Sequence, residues 1–262
     1  MYSLESYRYL LDLALKADYR FMGFTEECDT HGRCIYLRHD IDVSVDMAIE
    51  LAQINSLLGI KGTFFLLLRS PYYNLFSYRT LDGVRKINDL GQRLGFHYHL
   101  PTVIPSTEDE LANLILTDFS IVKDLIPEME PIFAWHNGRN DLLVRSLSFT
   151  VPGLVNVYSS YFVKEVPYYA DSNMRYSVAE FKDVIQKKDH KKLHLLFHPL
   201  NWVGGGKNMI EVWARTWKYL IWNLDREIRL NRAYGKHFRG GIPPSIVDRF
   251  ASSIAKAGFK AE

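Results

Sequence analysis

The sequence predicts an α/β protein in which helices cover a parallel sheet. Short apolar runs alternate with amphipathic segments at intervals of roughly 30 residues, which is the pattern of βαβ units. The run Thr63–Leu68 is apolar after its first residue, as expected of a strand covered on both faces. We therefore expect parallel βαβ units in a single domain over residues 1–262, arranged as an open sheet or as a barrel.

The element boundaries follow from side-chain periodicity, capping residues and glycines. Helices are predicted where apolar residues recur every three or four positions, over about 3–18, 45–58, 80–90, 107–125, 178–187, 209–234 and 244–257. Buried strands are predicted over short apolar runs, at 35–39, 63–68, 94–99, 131–136 and 193–198. The region 140–176 is less regular, and we expect only short strands there, at 154–157 and 161–164.

The composition argues against several classes of protein. The chain is 47% apolar and 24% charged, and its net charge is +2 with acids and bases mixed along its length. We therefore expect no nucleic-acid partner and no membrane-surface partner. No run of about 18 apolar residues occurs, so no membrane span is expected.

Cys28 and Cys34 are the only cysteines. Two cysteines are too few for a disulfide scaffold, and this pair lacks the spacing of a metal site. The two could pair, but we expect free thiols in a reducing compartment. No secretory signal is visible at the N-terminus, so we expect a cytoplasmic protein.

Two carboxylates follow the first predicted strand. Asp40 and Asp42 are two positions apart, so on an extended backbone both side chains leave the same face. Such a pair needs a metal ion, a bound arginine or a shared proton between its members. The alternative is that Asp42 only caps the next helix, which leaves Asp40 without a role.

Histidines lie at the ends of three further strands. His97 and His99 end the third strand, His136 ends the fourth and His198 ends the last clear strand. Strand ends of this kind meet at one edge of a parallel sheet or barrel. Two histidines on one face opposite a carboxylate are typical of a zinc hydrolase site. We expect a divalent metal here; the alternative is a purely hydrogen-bonded polar cluster.

Four segments resemble motifs of the polysaccharide deacetylase family, the NodB-homology group of carbohydrate esterases. They are Leu37–Asp42, Gly62–Phe65, Leu90–His97 and Leu196–Pro199, and they match in order and spacing over residues 35–202. The chain is most similar to a branch with an RHDxD first motif and an HPxxW last motif. Members of that branch often accompany genes for lipopolysaccharide O-antigen or other surface glycans.

The resemblance implies a distorted (β/α) barrel with about seven parallel strands. It also implies a metal-dependent hydrolase that removes an acetyl group from a sugar. By position in the motifs, Asp40 is the catalytic base, Asp42 and His97 bind the metal, and His198 is the general acid.

The second motif departs from the family pattern. Pro101 stands where the family has its second metal-binding histidine, and His99 from the same strand face or His136 from the next strand could replace that ligand. Two hypotheses remain. The first is a deacetylase of an acetylated sugar, nucleotide sugar or glycan that uses a divalent metal, with zinc the first candidate. The second is a barrel that has lost its metal and binds a glycan or a partner without turnover. Another C–N hydrolase activity is a third possibility.

Candidate substrate-binding residues lie near the predicted site. Flat rings stack on sugar faces, and four aromatic residues near the strand ends are candidates whose alternative role is packing: Tyr72, Tyr73, Trp135 and Trp202. The segment Ala170–Tyr176 resembles the SDSxGRW segment of the same branch. From it we expect Asp171 and Arg175 to contact substrate as well.

Overall fold

The computed structural model describes residues 1–28, 32–103, 105–136, 147–237 and 240–257. Within these ranges, eight strands form one sheet in which every pairing is parallel. The strands are β1 Tyr19–Met22, β2 Arg33–Ile41, β3 Thr63–Leu67, β4 Arg93–His99, β5 Met129–His136, β6 Val155–Asn156, β7 Tyr168–Ala170 and β8 Lys192–Phe197.

Seven of the strands follow one path, in the order β6-β5-β4-β3-β2-β8-β7, and β1 pairs with the first half of β2. The path curls into a half-barrel with helices around it. The predicted distorted (β/α) barrel with about seven parallel strands is therefore confirmed.

The helices begin where the sequence places capping side chains. They are α1 Leu4–Lys16, α2 Val45–Leu57, α3 Tyr78–Asp89, α4 Glu108–Leu125, α5 Val178–Lys187, α6 Pro199–Gly204, α7 Met209–Ile228, α8 Arg232–His237 and α9 Pro244–Ala257. Ser44 and Thr107 are typical caps, because each side chain accepts a hydrogen bond from the backbone N–H three residues later. The long amphipathic helices match the predicted ranges to within a few residues.

Three details of the prediction are wrong. The segment Tyr161–Glu165 is a π-helix and not a strand, because the Val166 N–H donates to the carbonyl of Tyr161, five residues earlier. The predicted helix 209–234 is two helices, since Asn231 Oδ1 accepts from the N–H groups of residues 233 and 234 and starts a new one. The short strands β1 and β7 were not predicted, because four and three residues are too few for a clear periodicity.

Side chains of the strands alternate between two apolar clusters. On β2, Ile35 and Leu37 join the large cluster between sheet and helices. Cys34 and Tyr36 join a smaller cluster inside the half-barrel. The same alternation directs Arg38 and Asp40 into the interior. The interior column of β2 is therefore apolar at its start and charged at its end.

The inner face is closely packed where β3 and β4 meet. Phe65 of β3 lies opposite Gly95 of β4 in the strand register. A Cβ atom added to Gly95 would lie 2.6 Å from Cε1 of the Phe65 ring. The glycine therefore makes room for the ring.

The cysteine prediction is wrong. Cys28 and Cys34 form a disulfide, with Cα atoms 6.2 Å apart. Cys34 lies on β2 and Cys28 six positions before it, and both side chains belong to the small cluster inside the half-barrel. Disulfides are rare in the cytosol, so one reason for expecting a cytoplasmic protein is lost and that location stays a prediction. Among the described residues, no helix is both long and apolar enough to cross a membrane.

A buried polar network joins α1 to the outer face of β2. The Tyr7 hydroxyl donates to Asn55 Oδ1 at 2.6 Å and lies 2.7 Å from His39 Nε2. Because the hydroxyl has a single proton, the His39 Nε2–H must donate to Tyr7. Asn55 Nδ2 donates to Gln92 Oε1, which also accepts from the Gly62 N–H. Burial lowers the pKa of His39 to about 3, so the ring is neutral.

The network predicts a stability effect. Tyr7→Phe leaves His39 Nε2 and Asn55 Oδ1 without their shared partner, and we expect unfolding free energy to fall by about 1–3 kcal/mol. Urea denaturation followed by circular dichroism measures this change. Tyr9→Phe is the matched control, since Tyr9 lies on the same helix and is 45% exposed. Equal stability of the two variants would contradict the assignment.

Candidate metal centre

Three side chains from three elements meet at the carboxyl ends of the strands. Asp42 follows β2, His97 lies near the end of β4, and His136 ends β5. The Asp42 Oδ1 atom is 3.2 Å from His97 Nε2 and 3.2 Å from His136 Nδ1, and these two nitrogens are 3.2 Å apart. The three atoms form a nearly equilateral triangle and are a possible site for a metal ion.

The chemistry of the triangle fits a divalent cation. His97 Nδ1 lies 3.1 Å from the Ala134 carbonyl oxygen, which can only accept, so Nδ1 carries the proton and Nε2 presents a lone pair. Asp42 Oδ1 is buried and accepts no well-formed hydrogen bond from the described residues. Donor atoms of a tetrahedral zinc site lie about 3.3 Å apart, given bonds of about 2.0–2.1 Å. The observed spacing agrees with such a site.

Asp42 has the charge that a ligand needs. Burial acts to raise the pKa of Asp42, but the neighbouring His136 and His97 hold it well below its ordinary value. The carboxylate is therefore ionised at neutral pH.

His99, the other candidate for the third ligand, lies outside the triangle. Its side chain is exposed, and its ring centroid is 5.0 Å from that of His136. In the strand register His99 lies beside His136, whereas His97 lies one pleat deeper beside Ala134. His136 nevertheless brings Nδ1 to the triangle. The structure therefore brings His136, and not His99, into the group with Asp42 and His97.

Asp40 lies beside the triangle and is held by an arginine. Arg38 Nε and Nη2 donate to the two carboxylate oxygens of Asp40, each at 2.6 Å, and both side chains are buried. Asp40 Oδ2 is 3.4 Å from His97 Nε2. Burial acts to raise the pKa of Asp40, but Arg38 and then His97 lower it, so the group is ionised.

Arg38 is a site residue that sequence reasoning missed. The signal was present, because Arg38, Asp40 and Asp42 share one face by alternation along β2. The guanidinium also lies over the rings of Phe65 and Tyr158, at 5.2 and 4.6 Å from their centroids. A bound arginine was one of the three ways expected to stabilise the paired carboxylates.

His198 lies on the other side of Asp42. Its Nε2 is 3.7 Å from Asp42 Oδ2, and its Nδ1 is 2.5 Å from Asp171 Oδ1. Burial would lower the pKa of His198, but the charge and hydrogen bond of Asp171 raise it to about 9. The ring is therefore protonated at neutral pH, with Nε2 directed to the centre.

Asp171 positions His198 and does not face substrate, which corrects the expected binding role. Its side chain is fully buried and accepts from the His198 backbone N–H at 2.9 Å and from Trp202 Nε1 at 2.8 Å. Trp202 is itself fully buried, so its expected sugar contact is also wrong. Its indole N–H orients the carboxylate that holds His198.

The other candidate substrate-binding residues differ in how far their side chains are exposed to solvent. Trp135 is 3% exposed and packs against Phe133, so its ring belongs to the core and not to a sugar wall. Tyr73 is half-buried, and its hydroxyl donates to the Ile41 carbonyl at 2.9 Å and accepts from the Leu67 N–H at 2.8 Å, which gives it a structural role. Tyr72 and Arg175 are exposed and remain candidates.

Comparison with known proteins gives structural likeness only. No protein-family model matches the chain, and no curated protein matches it significantly. IcaB from Ammonifex degensii is 15% identical, with a TM-score of 0.43 over 54% of this chain and 70% of that chain. BA3943 of Bacillus anthracis, described as a CE4 family pseudoenzyme, is 14% identical, with a TM-score of 0.44 over 65% of this chain and 56% of that chain.

A mutant of BA3943, described as a pseudoenzyme with restored enzymatic activity, is also similar, with 13% identity and a TM-score of 0.41 over 65% of this chain. The chain covers 58% of that mutant, so it spans less than two thirds of both BA3943 structures. Identities and TM-scores this low assign no role to any residue of this chain. Those residues define a parallel α/β half-barrel with a possible Asp/His/His metal centre at its carboxyl edge.

The triangle predicts which side chains hold a metal. Asp42→Ala, His97→Ala and His136→Ala should each lose bound zinc while staying folded, because each removes one of three ligands. Metal analysis after purification without chelator, with circular dichroism as the fold check, measures this loss. His99→Ala is the matched control and should keep the metal. Full metal occupancy in both Asp42→Ala and His97→Ala would refute the proposed ligand set.

Proposed function

We propose that this protein is a metal-dependent hydrolase that removes an acetyl group from an acetylated sugar. The observation that supports this most directly is the Asp42, His97 and His136 triangle with an ionised carboxylate on one side and a protonated histidine on the other. Metal-assisted hydrolysis of an acetamide uses a base for water, an acid for the departing amine and a Lewis acid. The three parts lie within a few ångströms of one another.

Asp42, His97 and His136 would hold the divalent ion, with zinc the first candidate for this donor set. When bound, such an ion lowers the pKa of water and polarises the acetyl carbonyl. The chain's own residues move the protons. Asp40 takes a proton from the attacking water, and Arg38 fixes both of its oxygens so that the carboxylate cannot turn away.

His198 supplies the second proton transfer. Asp171 accepts from His198 Nδ1, which leaves the protonated Nε2 free to donate to the amine nitrogen as the C–N bond breaks. The products are acetate and the free amine of the sugar. The charge and hydrogen bond of Asp171 raise the pKa of His198, which favours the protonated form that an acid needs.

The rival hypothesis, a barrel that binds a glycan without turnover, drew on the missing histidine at Pro101. That support weakens, because His136 brings a third donor atom to the same centre. The narrower proposal of a role in lipopolysaccharide O-antigen or other surface-polysaccharide biosynthesis rests on the motif resemblance. Its substrate would be an acetylated sugar, a nucleotide sugar or a glycan.

The roles assigned to Asp40 and His198 predict a loss of turnover without a loss of metal. Asp40→Asn and His198→Ala should each lower turnover by about a hundredfold or more, the usual scale for positioned acid and base groups. Acetate release from acetylated hexosamines, measured beside metal content, tests this. Both variants should keep the metal. Wild-type turnover in Asp40→Asn would remove the base assignment, and an empty site in His198→Ala would make His198 a ligand.

The pairing of Asp171 with His198 predicts a shift in the pH profile. The acid must be protonated, so turnover falls as pH rises through the pKa of His198. Asp171→Asn removes the charge that raises this pKa, and the alkaline limb should move down by about 1–2 pH units. Asp12→Asn is the control, because Asp12 lies on the solvent-facing side of α1 with its side chain 42% exposed, and it should leave the limb in place. An unmoved limb in Asp171→Asn would show that His198 is not the acid.

A further inference from the structure

The C-terminal helices present basic side chains together with exposed apolar ones. We infer that this surface binds the surface of an anionic lipid bilayer, so that the half-barrel is held at a membrane without spanning it. The inference goes beyond the proposed chemistry, because it uses side chains outside the candidate centre. Six side chains carry it and are called the C-terminal patch below: Leu230, Arg232, Ile246, Arg249, Phe250 and Lys256.

Charge is distributed unevenly along the chain. Residues 207–262 contain eleven lysine and arginine residues against five aspartate and glutamate residues, whereas the whole chain is nearly balanced at 32 against 30. The residues before 207 therefore have a net negative charge, and the basic excess is confined to the C-terminal segment. The expectation of no membrane-surface partner rested on the net charge of +2, which conceals this asymmetry. A segment with this excess is attracted to an acidic surface.

The basic members of the patch are available to bind an external anion. Other basic residues of the C-terminal helices have acidic partners, since Lys218 pairs with Asp248 at 2.5 Å and Arg229 pairs with Asp225. The three basic side chains of the patch are exposed, and none forms an ion pair with a carboxylate in the described ranges. Their charges are therefore not balanced by this protein's own acids.

Apolar side chains accompany these charges. Leu230 is 80% exposed, Ile246 is 50% exposed and Phe250 is 46% exposed. On α9, Ile246 and Phe250 are one turn apart on the same side of the helix, with Arg249 beside them. Val247, between the two, is 1% exposed and marks the side that packs into the protein. Exposed apolar side chains next to basic ones are typical of a helix that lies in the interface of a bilayer.

A buried carboxylate holds the elements of the patch together. Asp225 of α7 is fully buried and accepts hydrogen bonds from Arg229 Nε at 2.7 Å, the Tyr234 hydroxyl at 2.9 Å and the Ile242 N–H at 3.1 Å. The end of α7, helix α8 and the turn before α9 are therefore fixed to one another. The patch is a preformed surface, so its binding needs no ordering of these elements.

The apolar members distinguish a bilayer from other acidic partners. Nucleic acid is held mainly by basic side chains on its phosphates, and aliphatic side chains such as Leu230 and Ile246 add little to such contacts. At a bilayer the basic side chains meet anionic headgroups, while the apolar side chains leave water for the boundary with the acyl chains. An anionic bilayer therefore fits both parts of the patch.

Vesicle sedimentation tests the inference without any substrate. Vesicles of phosphatidylcholine alone are compared with vesicles that also contain about 30 mol% phosphatidylglycerol. The full chain should bind the anionic vesicles at least about tenfold more tightly, and about 0.5 M salt should weaken that binding because exposed charges are screened. The double variant Arg249→Gln/Lys256→Gln should bind them about tenfold or more weakly, and Leu230→Ser about threefold more weakly.

Matched controls separate the patch from charge and exposure in general. The double variant Lys86→Gln/Lys187→Gln removes the same charge from exposed positions on α3 and α5 and should bind as the wild type does. Leu57→Ser is the control for Leu230→Ser, since Leu57 is 78% exposed on α2. Circular dichroism checks that every variant is folded.

The outcomes are decisive and independent of the proposed hydrolase. Equal binding to the two kinds of vesicle would overturn the inference, as would unchanged binding in the double variant of α9 or in Leu230→Ser. Binding to duplex DNA as tight as that to anionic vesicles would also overturn it, in favour of nucleic acid. Acetate release from soluble acetylated sugars should be the same in the patch variants as in the wild type. Failure of vesicle binding is therefore distinguishable from failure of the deacetylase proposal.

Discussion

The ion pair of Arg38 and Asp40 is the interaction on which the candidate site depends. Both side chains are almost wholly withdrawn from water, so each charge is tolerable only because the other is present. Loss of either partner would leave an uncompensated charge within the half-barrel. The pair also fixes the position of an anionic group beside His97, because Arg38 donates to both carboxylate oxygens of Asp40.

Much of the fold and part of the site could be predicted from the sequence because both arise from local periodicity. Alternation along β2 places Asp40 and Asp42 on one face, and the histidines at 97, 136 and 198 lie at strand ends that meet in any parallel arrangement. The part of the site that could not be predicted depends on which residues pair between neighbouring strands. Ala170 pairs with Leu196 across β7 and β8, which brings Asp171 next to His198, and a three-residue strand carries too little pattern to reveal this.

The remaining differences between the predicted and the observed site residues follow from burial. Trp135 lies near the end of β5 and Trp202 follows β8, where a sugar-binding ring could also lie, but both rings belong to the large core cluster between sheet and helices. The third candidate ligand was similarly undetermined, since His99 and His136 lie side by side across β4 and β5, and only the structure shows that His136 reaches Asp42 and His97.

The contact between Phe65 and Gly95 has an evolutionary consequence. Phe65 lies on β3, between β2, which leads to Asp42, and β4, which carries both Gly95 and His97. A side chain added at position 95 would push the Phe65 ring or spread β3 from β4, and spreading the strands would lengthen the distance between Asp42 and His97. Natural variants of this chain should therefore change positions 65 and 95 together, with a smaller residue at 65 accompanying a larger one at 95.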